Sequence, residues 1–365
     1  MKKIISVVGA RPNFIKIAPI HRSFQKYNED ISHMICHTGQ HFDAKMSKIF
    51  FDELQMPKPH FYLGIGGGSH AVQTARIMIE FEKILLNEKP DLVMVPGDVN
   101  STLAASLVAA KLHIPVAHVE AGLRSFDRRM PEEVNRVLTD EISDYLFVTE
   151  KSGSANLKNE GIDSSKVYFT GNVMIDSLVN FLPIINNSTI TDKLLLDQGK
   201  FVLATFHRPS NVDEEENLSQ LIDTINEIST ERKVVFPIHP RTRNNIDKFG
   251  LSGKLGKNVI ILDPIGYIDF LSLTKKAELV VTDSGGIQEE TTFLGIQCIT
   301  VRDSTERPIT SEIGTNHMIG TDFQKVVVAA KLILGGRIKN GRIPELWDGK
   351  ASERIVEIVY KSICK

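Results

Sequence analysis

The chain has only three cysteines in 365 residues, Cys36, Cys298 and Cys364, widely spaced and with no C-x-x-C pair. That spacing argues against a thiolate metal site or a disulfide framework and suits free thiols in a reducing compartment. Long apolar runs are also missing. No stretch approaches the roughly 18–20 uninterrupted apolar residues of a membrane helix, and the apolar run in MKKIISVVGARPNF stops at Arg11, short of a signal-peptide core. Neither sign of charge is in surplus: the formal net charge is −2, which argues against nucleic acid as a partner. A G-x-x-x-x-G-K-[ST] phosphate loop is absent, and Gly64-Ile-Gly-Gly-Gly-Ser departs from G-x-G-x-x-G with no clear strand ahead of it. No repeat period of roughly 20–50 residues recurs, so a solenoid is excluded.

What remains is an average globular composition, 42% hydrophobic and 24% charged. The length exceeds what one core usually fills, so two domains are expected. The first half alternates short apolar runs with helical patterns: a run over 3–8, a helix over 15–27, a run over 32–38, helices opening near Lys45 and Ala71, a run over 91–96, an Ala-rich helix over 101–112, a run over 115–119, and a helix opening at Pro131. This βα rhythm predicts a parallel sheet covered by helices on both faces. The rhythm fades over 181–200, a polar stretch read as a linker. It restarts in runs at 201–205, 233–238, 259–262, 279–282 and 298–301, giving a second α/β domain.

In parallel sheets ligands gather beyond the carboxyl ends of strands, so polar residues closing an apolar run are the first candidates. Asp98 and Glu120 close successive runs with one helix between them, and a right-handed crossover can bring such ends to neighbouring strands about 5 Å apart. In the helix opening at Pro131, Val134, Val137 and Leu138 are expected to form the core-facing stripe. Glu132, Asn135 and Arg136 lie on the opposite face, able to turn toward the same site. The segment Thr282-Asp-Ser-Gly-Gly-Ile-Gln-Glu-Glu follows an apolar run and would offer the amides of Ser284, Gly285 and Gly286 to a phosphate, with Glu290 one turn on, in reach of a ribose hydroxyl. Arg11, Lys16, His207, Arg208, His239 and Arg307 supply basic partners for an anionic ligand.

These motifs together resemble the non-hydrolysing UDP-N-acetylglucosamine 2-epimerases. The resemblance spans nearly the whole chain and rests on Gly9-Ala-Arg-Pro with Lys16, Thr38-Gly-Gln-His, Gly97-Asp, His118-Val-Glu-Ala-Gly-Leu-Arg, Pro131-Glu-Glu-Val-Asn-Arg, Gly171-Asn, His207-Arg, Asp283-Ser-Gly-Gly-Ile-Gln-Glu-Glu, Thr305-Glu-Arg-Pro and Gly314-Thr. It implies two Rossmann-like α/β domains facing a central cleft, as in B-type glycosyltransferases, divided as 1–172 and 173–365 with the last helix packing back on the first domain. It further implies a cytoplasmic homodimer that needs no metal or cofactor and acts on a UDP-sugar, inverting C2 by eliminating UDP to a 2-acetamidoglucal and re-adding it. By the same resemblance Asp98, Glu120, Glu132 and His207 are catalytic. Arg11, Lys16, Arg136, His239, Ser284, Gly285, Gly286, Glu290 and Arg307 hold UDP and the sugar, Phe270 lies near the uracil, and Gln40 and His41 mark an allosteric UDP-sugar site. The chain departs from many members in having Arg11-Pro12-Asn13 in place of Arg-Pro-Glu, His207-Arg-Pro-Ser-Asn in place of His-Arg-Arg-Glu-Asn, and Ser69 near the position of a Gln. The run Arg124-Ser-Phe-Asp-Arg-Arg-Met-Pro resembles the branch acting on UDP-2,3-diacetamido-2,3-dideoxyglucuronate. A hydrolysing epimerase of the same fold is the other enzymatic alternative.

Overall fold

The computed structural model describes residues 1–39, 56–197 and 200–365. The chain divides into two compact units: unit one is Met1–Asn180 together with Glu345–Lys365, and unit two is Phe181–Pro344.

In unit one the strands are β1 (Lys2–Val8), β2 (Ile31–His37), β3 (Phe61–Tyr62), β4 (Leu92–Pro96), β5 (Val116–Ala121), β6 (Tyr145–Val148) and β7 (Val167–Phe169), and the helices are α1 (Arg11–Phe24), α2 (His70–Glu88), α3 (Asn100–Lys111), α4 (Pro131–Ile142), α5 (Lys151–Asn159) and α6 (Val173–Asn186). The strands pair in parallel in the order β3-β2-β1-β4-β5-β6-β7. Parallel strands covered on both faces must be apolar along their whole length, and β4 is buried at all five positions. The two-residue β3 ahead of the glycine run at 64–68 was too short to be read from the sequence.

Unit two repeats the plan with β8 (Phe201–Thr205), β9 (Lys233–Pro237), β10 (Val259–Leu262), β11 (Leu279–Thr282), β12 (Gln297–Thr300) and β13 (Asn316–Met318), and with α7 (Glu215–Ile228), α8 (Pro240–Lys248), α9 (Tyr267–Lys276), α10 (Gly285–Leu294) and α11 (Phe323–Leu334). Its parallel order is β10-β9-β8-β11-β12-β13. Strand β8 shows the two-sided burial directly. Val202 and Ala204 join a cluster with Val234, Phe236 and Val281, whereas Phe201 and Leu203 join a second cluster with Val235, Val280 and Cys298, the period of two expected of a strand.

Both sheets therefore have the doubly wound order, in which the chain reverses direction after the third strand. Crossovers leave the first and fourth strands of each sheet in opposite directions, which opens a crevice at their carboxyl ends. The switch points are β1/β4 in unit one and β8/β11 in unit two.

Two expectations need correction. The stretch 181–200 is not merely a polar linker: α6 runs on to Asn186, and a one-turn helix spans Ile190–Lys193. The division between the units falls inside α6. In α4 the faces are inverted. Glu133, Asn135, Arg136, Thr139 and Asp140 are buried, whereas Val134 and Leu138 are 38% and 47% exposed. The polar residues go inward because they neutralise one another there, as the site geometry shows.

The last helix, α12 (Ala351–Cys364), belongs to unit one. Asp176 of α6 accepts from the amides of Ala351 (3.1 Å) and Ser352 (2.6 Å), satisfying two open N–H groups of that helix. The only tryptophan, Trp347, is buried just before it and donates Nε1–H to the Thr149 carbonyl at 3.0 Å.

Candidate active site

At the switch point of unit one, the loop after β1 is fastened to the end of β4. Asn13 accepts from the amides of Gly9 and Ala10 at 3.1 and 2.9 Å and donates Nδ2–H to the Pro96 carbonyl at 3.0 Å. The first turn of α1 thus lies against Gly97-Asp98. Gly97 has φ +68°, and a Cβ on it would come 3.0 Å from the Lys16 ammonium. Only glycine takes that backbone conformation freely while letting the cation approach so closely.

Lys16 meets Glu120 across β1/β4/β5, with Nζ 2.6 Å from Oε2 and both side chains almost wholly buried. Glu120 sits where the β5/β6 register slips between Val119 and Ala121, and its φ is +76°. A non-glycine residue held in that region is strained and persists when surrounding structure enforces it, a pattern common at functional sites.

Asp98 forms an ion pair with Arg136 of α4. Its backbone carbonyl accepts from Asn135 Nδ2 at 2.8 Å. Arg136 is shared with Glu133 (Nη1 to Oε2, 2.9 Å), and Glu133 in turn accepts from Ser125 N, Ser125 Oγ and Phe126 N, each at 2.9 Å. This explains the inverted helix: burying charge is tolerable only when it is paired and hydrogen-bonded, and α4 carries the partners that meet those needs.

Behind Gly97, His118 of β5 is fully buried between Asp140 Oδ1 (2.6 Å) and the Gly97 carbonyl (2.8 Å). Asp140 also receives Arg124 Nη1 at 2.7 Å and the Gly122 amide at 3.0 Å, and Arg124 grips Glu160 with two bonds of 2.8 and 2.6 Å. Burial alone would raise the Asp140 carboxyl; the charges and hydrogen bonds of His118 and Arg124 outweigh it and hold the group below the usual carboxylate range.

At the switch point of unit two, Asp283 follows β11 and is fully buried. It accepts from the amides of His207 and Arg208, from Asn211 Nδ2, and from His207 Nδ1 at 3.0 Å. Burial would push its carboxyl up, but the His207 contact and these donors prevail and leave it below the usual range. His207 is thereby fixed with Nδ1 toward the carboxylate, its ring 5.5 Å from that of His239. Next to Asp283, Ser284 is the N-cap of α10; its own amide donates to Thr282 Oγ1 at 3.0 Å, and its side chain makes no capping bond to the helix. A helix start with open amides favours an anion. Arg307 lies alongside: a Cβ on Gly285 would come 2.9 Å from its Nη1, and its Nε is 2.7 Å from Glu289.

Of the residues expected to act, the structure brings Lys16 to Glu120, Asp98 to Arg136, His207 to His239, and Arg307 to the Ser284-Gly285-Gly286 turn. Arg11 opens α1 beside Ala10, half-buried. Glu290 is buried and accepts from the Tyr267 hydroxyl at 3.0 Å. Phe270 packs against the core cluster containing Val235 and Leu273. Glu132 lies on the exposed side of α4, and among the described residues no hydrogen bond or ion pair joins it to Asp98 or Glu120. Gln40 and His41 lie outside the described residues. Sequence reasoning missed the positioning set Asp283, Glu133, His118 and Asp140. For Asp283 a signal existed: it closes an apolar strand at a switch point, as Asp98 does.

A family model described as UDP-N-acetylglucosamine 2-epimerase matches residues 24–360. The chain belongs to the UDP-N-acetylglucosamine 2-epimerase family. It is 46% identical over 365 residues to the UDP-N-acetylglucosamine 2-epimerase of Methanocaldococcus jannaschii, covering 98% of each protein. It is 44% identical to the UDP-2,3-diacetamido-2,3-dideoxy-D-glucuronate 2-epimerase of Pseudomonas aeruginosa, covering 98% of this chain and 99% of that protein. The crystal structure of the M. jannaschii UDP-GlcNAc 2-epimerase in complex with UDP-GlcNAc and UDP superposes with a TM-score of 0.91 at 45% identity, over 99% of this chain and 100% of that one. The Neisseria meningitidis enzyme bound to UDP-GlcNAc matches with a TM-score of 0.88 at 32% identity, over 98% of this chain and 100% of that one. Membership in this family accords with the doubly wound order of both sheets and with ionic groups at both switch points.

Proposed function

We propose that the protein interconverts UDP-N-acetylglucosamine and UDP-N-acetylmannosamine at C2 without hydrolysing them. The observation that carries this reading is the pair of carboxylates, Asp98 and Glu120, at the ends of adjacent parallel strands, each held by a buried cation. Elimination needs a base to take the C2 proton while the C1–O bond breaks and UDP leaves with the electron pair. Re-addition reverses both steps, with the proton delivered to the opposite face. Carboxylates suit both roles, and general acid–base catalysis is worth about 10²–10⁴ in rate. We assign these steps to Asp98, Glu120 and Glu132, with His207 in support. The departing diphosphate accumulates negative charge. We assign its stabilisation to the amino end of α10, Ser284, Gly285 and Gly286, with Arg307 and His239, each well-placed donor contributing about 3 kcal/mol. Arg11, Lys16 and Arg136 complete the basic set, Glu290 takes a ribose hydroxyl and Phe270 the uracil.

The 44% identity to the P. aeruginosa protein supports a second substrate, the diacetamidoglucuronate, and the exposed Arg128 beside Phe126 would suit its extra carboxylate. We assign the enzyme to the cytoplasm, serving surface-polysaccharide precursor synthesis; no described helix is long and apolar enough to cross a membrane. A second copy of the chain is the proposed partner. Val72, Ile79 and Leu86, seven apart on α2, are 42–58% exposed, an apolar stripe suited to a subunit interface.

The test is incubation with each UDP-sugar in D₂O, followed by NMR. Deuterium at C2 of an intact UDP-linked epimer, lost in Asp98→Asn, is the expected result. Free N-acetylmannosamine would instead establish hydrolysis, and no exchange with either sugar would overturn the reading.

A further inference from the structure

We propose that His118 is a positioning residue whose ring donates from both nitrogens, an imidazolium that pins the Gly97 carbonyl and through it holds Asp98. The role rests on the reading of Asp98 as a reacting carboxylate, but the charge follows from hydrogen-bond geometry alone. The Gly97 carbonyl, 2.8 Å from Nε2, can only accept, so Nε2 carries a hydrogen. On the other side, Nδ1 is 2.6 Å from Asp140 Oδ1, and an ionised carboxylate also only accepts, so Nδ1 carries one too. A neutral imidazole has one N–H, whereas this ring uses two. Moving the proton to Asp140 would set Arg124 Nη1 and the Gly122 amide against a neutral acid, where they now stabilise the anion.

The charges balance locally. Asp140 of α4 faces the ring, Arg124 from the loop after β5 lies beyond it, and Glu160 sits on the far side of Arg124. Two cations therefore meet two anions. The nearest other ionic pairs on the joined strand ends are Asp98 with Arg136 and Lys16 with Glu120. A charged donor makes a shorter, stronger bond than a neutral one, and a ring that keeps both protons cannot exchange tautomers. Asp98 is consequently held at three points: the preceding carbonyl by His118, its own carbonyl by Asn135 and its carboxylate by Arg136.

The experiment uses the full-length enzyme with ¹⁵N-labelled histidine rings, with the His118 signals identified by their disappearance in His118→Gln. Both ring nitrogens are expected to show the imidazolium signature under the conditions of the activity assay. A neutral-tautomer pattern would overturn the proposal whether or not the enzyme epimerises the sugars tested. In Asp140→Asn the ring loses its ionic partner. We expect the ring to show a neutral-tautomer pattern in that variant, and kcat to fall up to about 10²-fold with KM within threefold, since misplacement of a reacting group by an ångström costs that much. A kcat equal to wild type in a folded Asp140→Asn would overturn the positioning role. Should that variant not fold, the wild-type spectrum alone decides the charge, and the positioning role is then judged on the pH profile of His118→Gln, where an unchanged kcat overturns it.

Discussion

Replacing Asp283 with asparagine separates what this carboxylate does for stability from what it does for His207. Oδ2 accepts from His207 N, Arg208 N and Asn211 Nδ2 at 3.1, 2.9 and 3.1 Å, whereas Oδ1 faces His207 N at 3.2 Å and His207 Nδ1 at 3.0 Å. An amide NH₂ in the Oδ2 position would confront three donors. It therefore takes the Oδ1 position, keeps the three bonds of the remaining oxygen, and points an N–H at Nδ1. Nδ1 must then accept, which moves the ring proton to Nε2. The stability cost is one charge-assisted hydrogen bond, about 1.5–3 kcal/mol. The catalytic cost is larger, because the exposed nitrogen changes from its native role to a fixed donor; exchanging a carboxylate for an amide behind a working histidine costs up to about 10⁴ in rate in serine proteases, and we expect about 10²–10⁴ here. Urea unfolding gives the first number, NMR of product formation the second, and ¹⁵N shifts of His207 the tautomer. A kcat within threefold of wild type, at the stated loss of stability, would refute the reasoning.

Lys16→Met leaves the Glu120 carboxylate buried without its cation and should destabilise unit one by about 3–5 kcal/mol. Adding Glu120→Gln should recover most of that loss, and the fluorescence of the single buried tryptophan, Trp347, follows unit one in urea. Acid should weaken the same unit early. His21 and His33 touch through their Nδ1 atoms at 2.8 Å, so one of the two must be unprotonated. Burial, reinforced by His60 and Arg22, lowers His21 to about 4, and burial with His21 and His60 carries His33 well below its ordinary value; burial alone lowers His37 to about 4. All three are depressed bases, so the unfolded chain binds their protons first. Their stabilising contribution is complete above about pH 6.5 and is lost as pH falls toward 4, by up to about 1.4 kcal/mol per pH unit for each. Urea midpoints measured from pH 7 to pH 5 should fall, and a flat profile would contradict the burial argument.

Much of the architecture was legible because apolar runs ending in polar residues mark parallel strands, and the candidate residues Asp98, Glu120 and Ser284 stood at such ends. The orientation of α4 was not. Periodicity reports that a helix has two unlike faces, and the apolar one is normally inward. Here Glu133, Arg136 and Asp140 complete ionic networks with Ser125, Asp98, His118 and Arg124, partners brought together by the fold and not by sequence spacing. His118 was hidden for a related reason: within an apolar strand it reads as one more strand residue, and only the Gly97 carbonyl on one side and Asp140 on the other reveal its task. The helical content of 181–200 was masked by a polar sequence in which α6 ends and a single turn begins.

Unit one is assembled from both ends of the sequence, since Trp347 and the amides of Ala351 and Ser352 are anchored on Thr149 and Asp176. A growing polypeptide presents residues 1–180 to solvent long before residue 351 exists. Unit two can complete its own core while its predecessor still waits for α12. Synthesis order and completion order are thus reversed, and a nascent chain arrested before α12 would carry a finished second unit behind an unfinished first one.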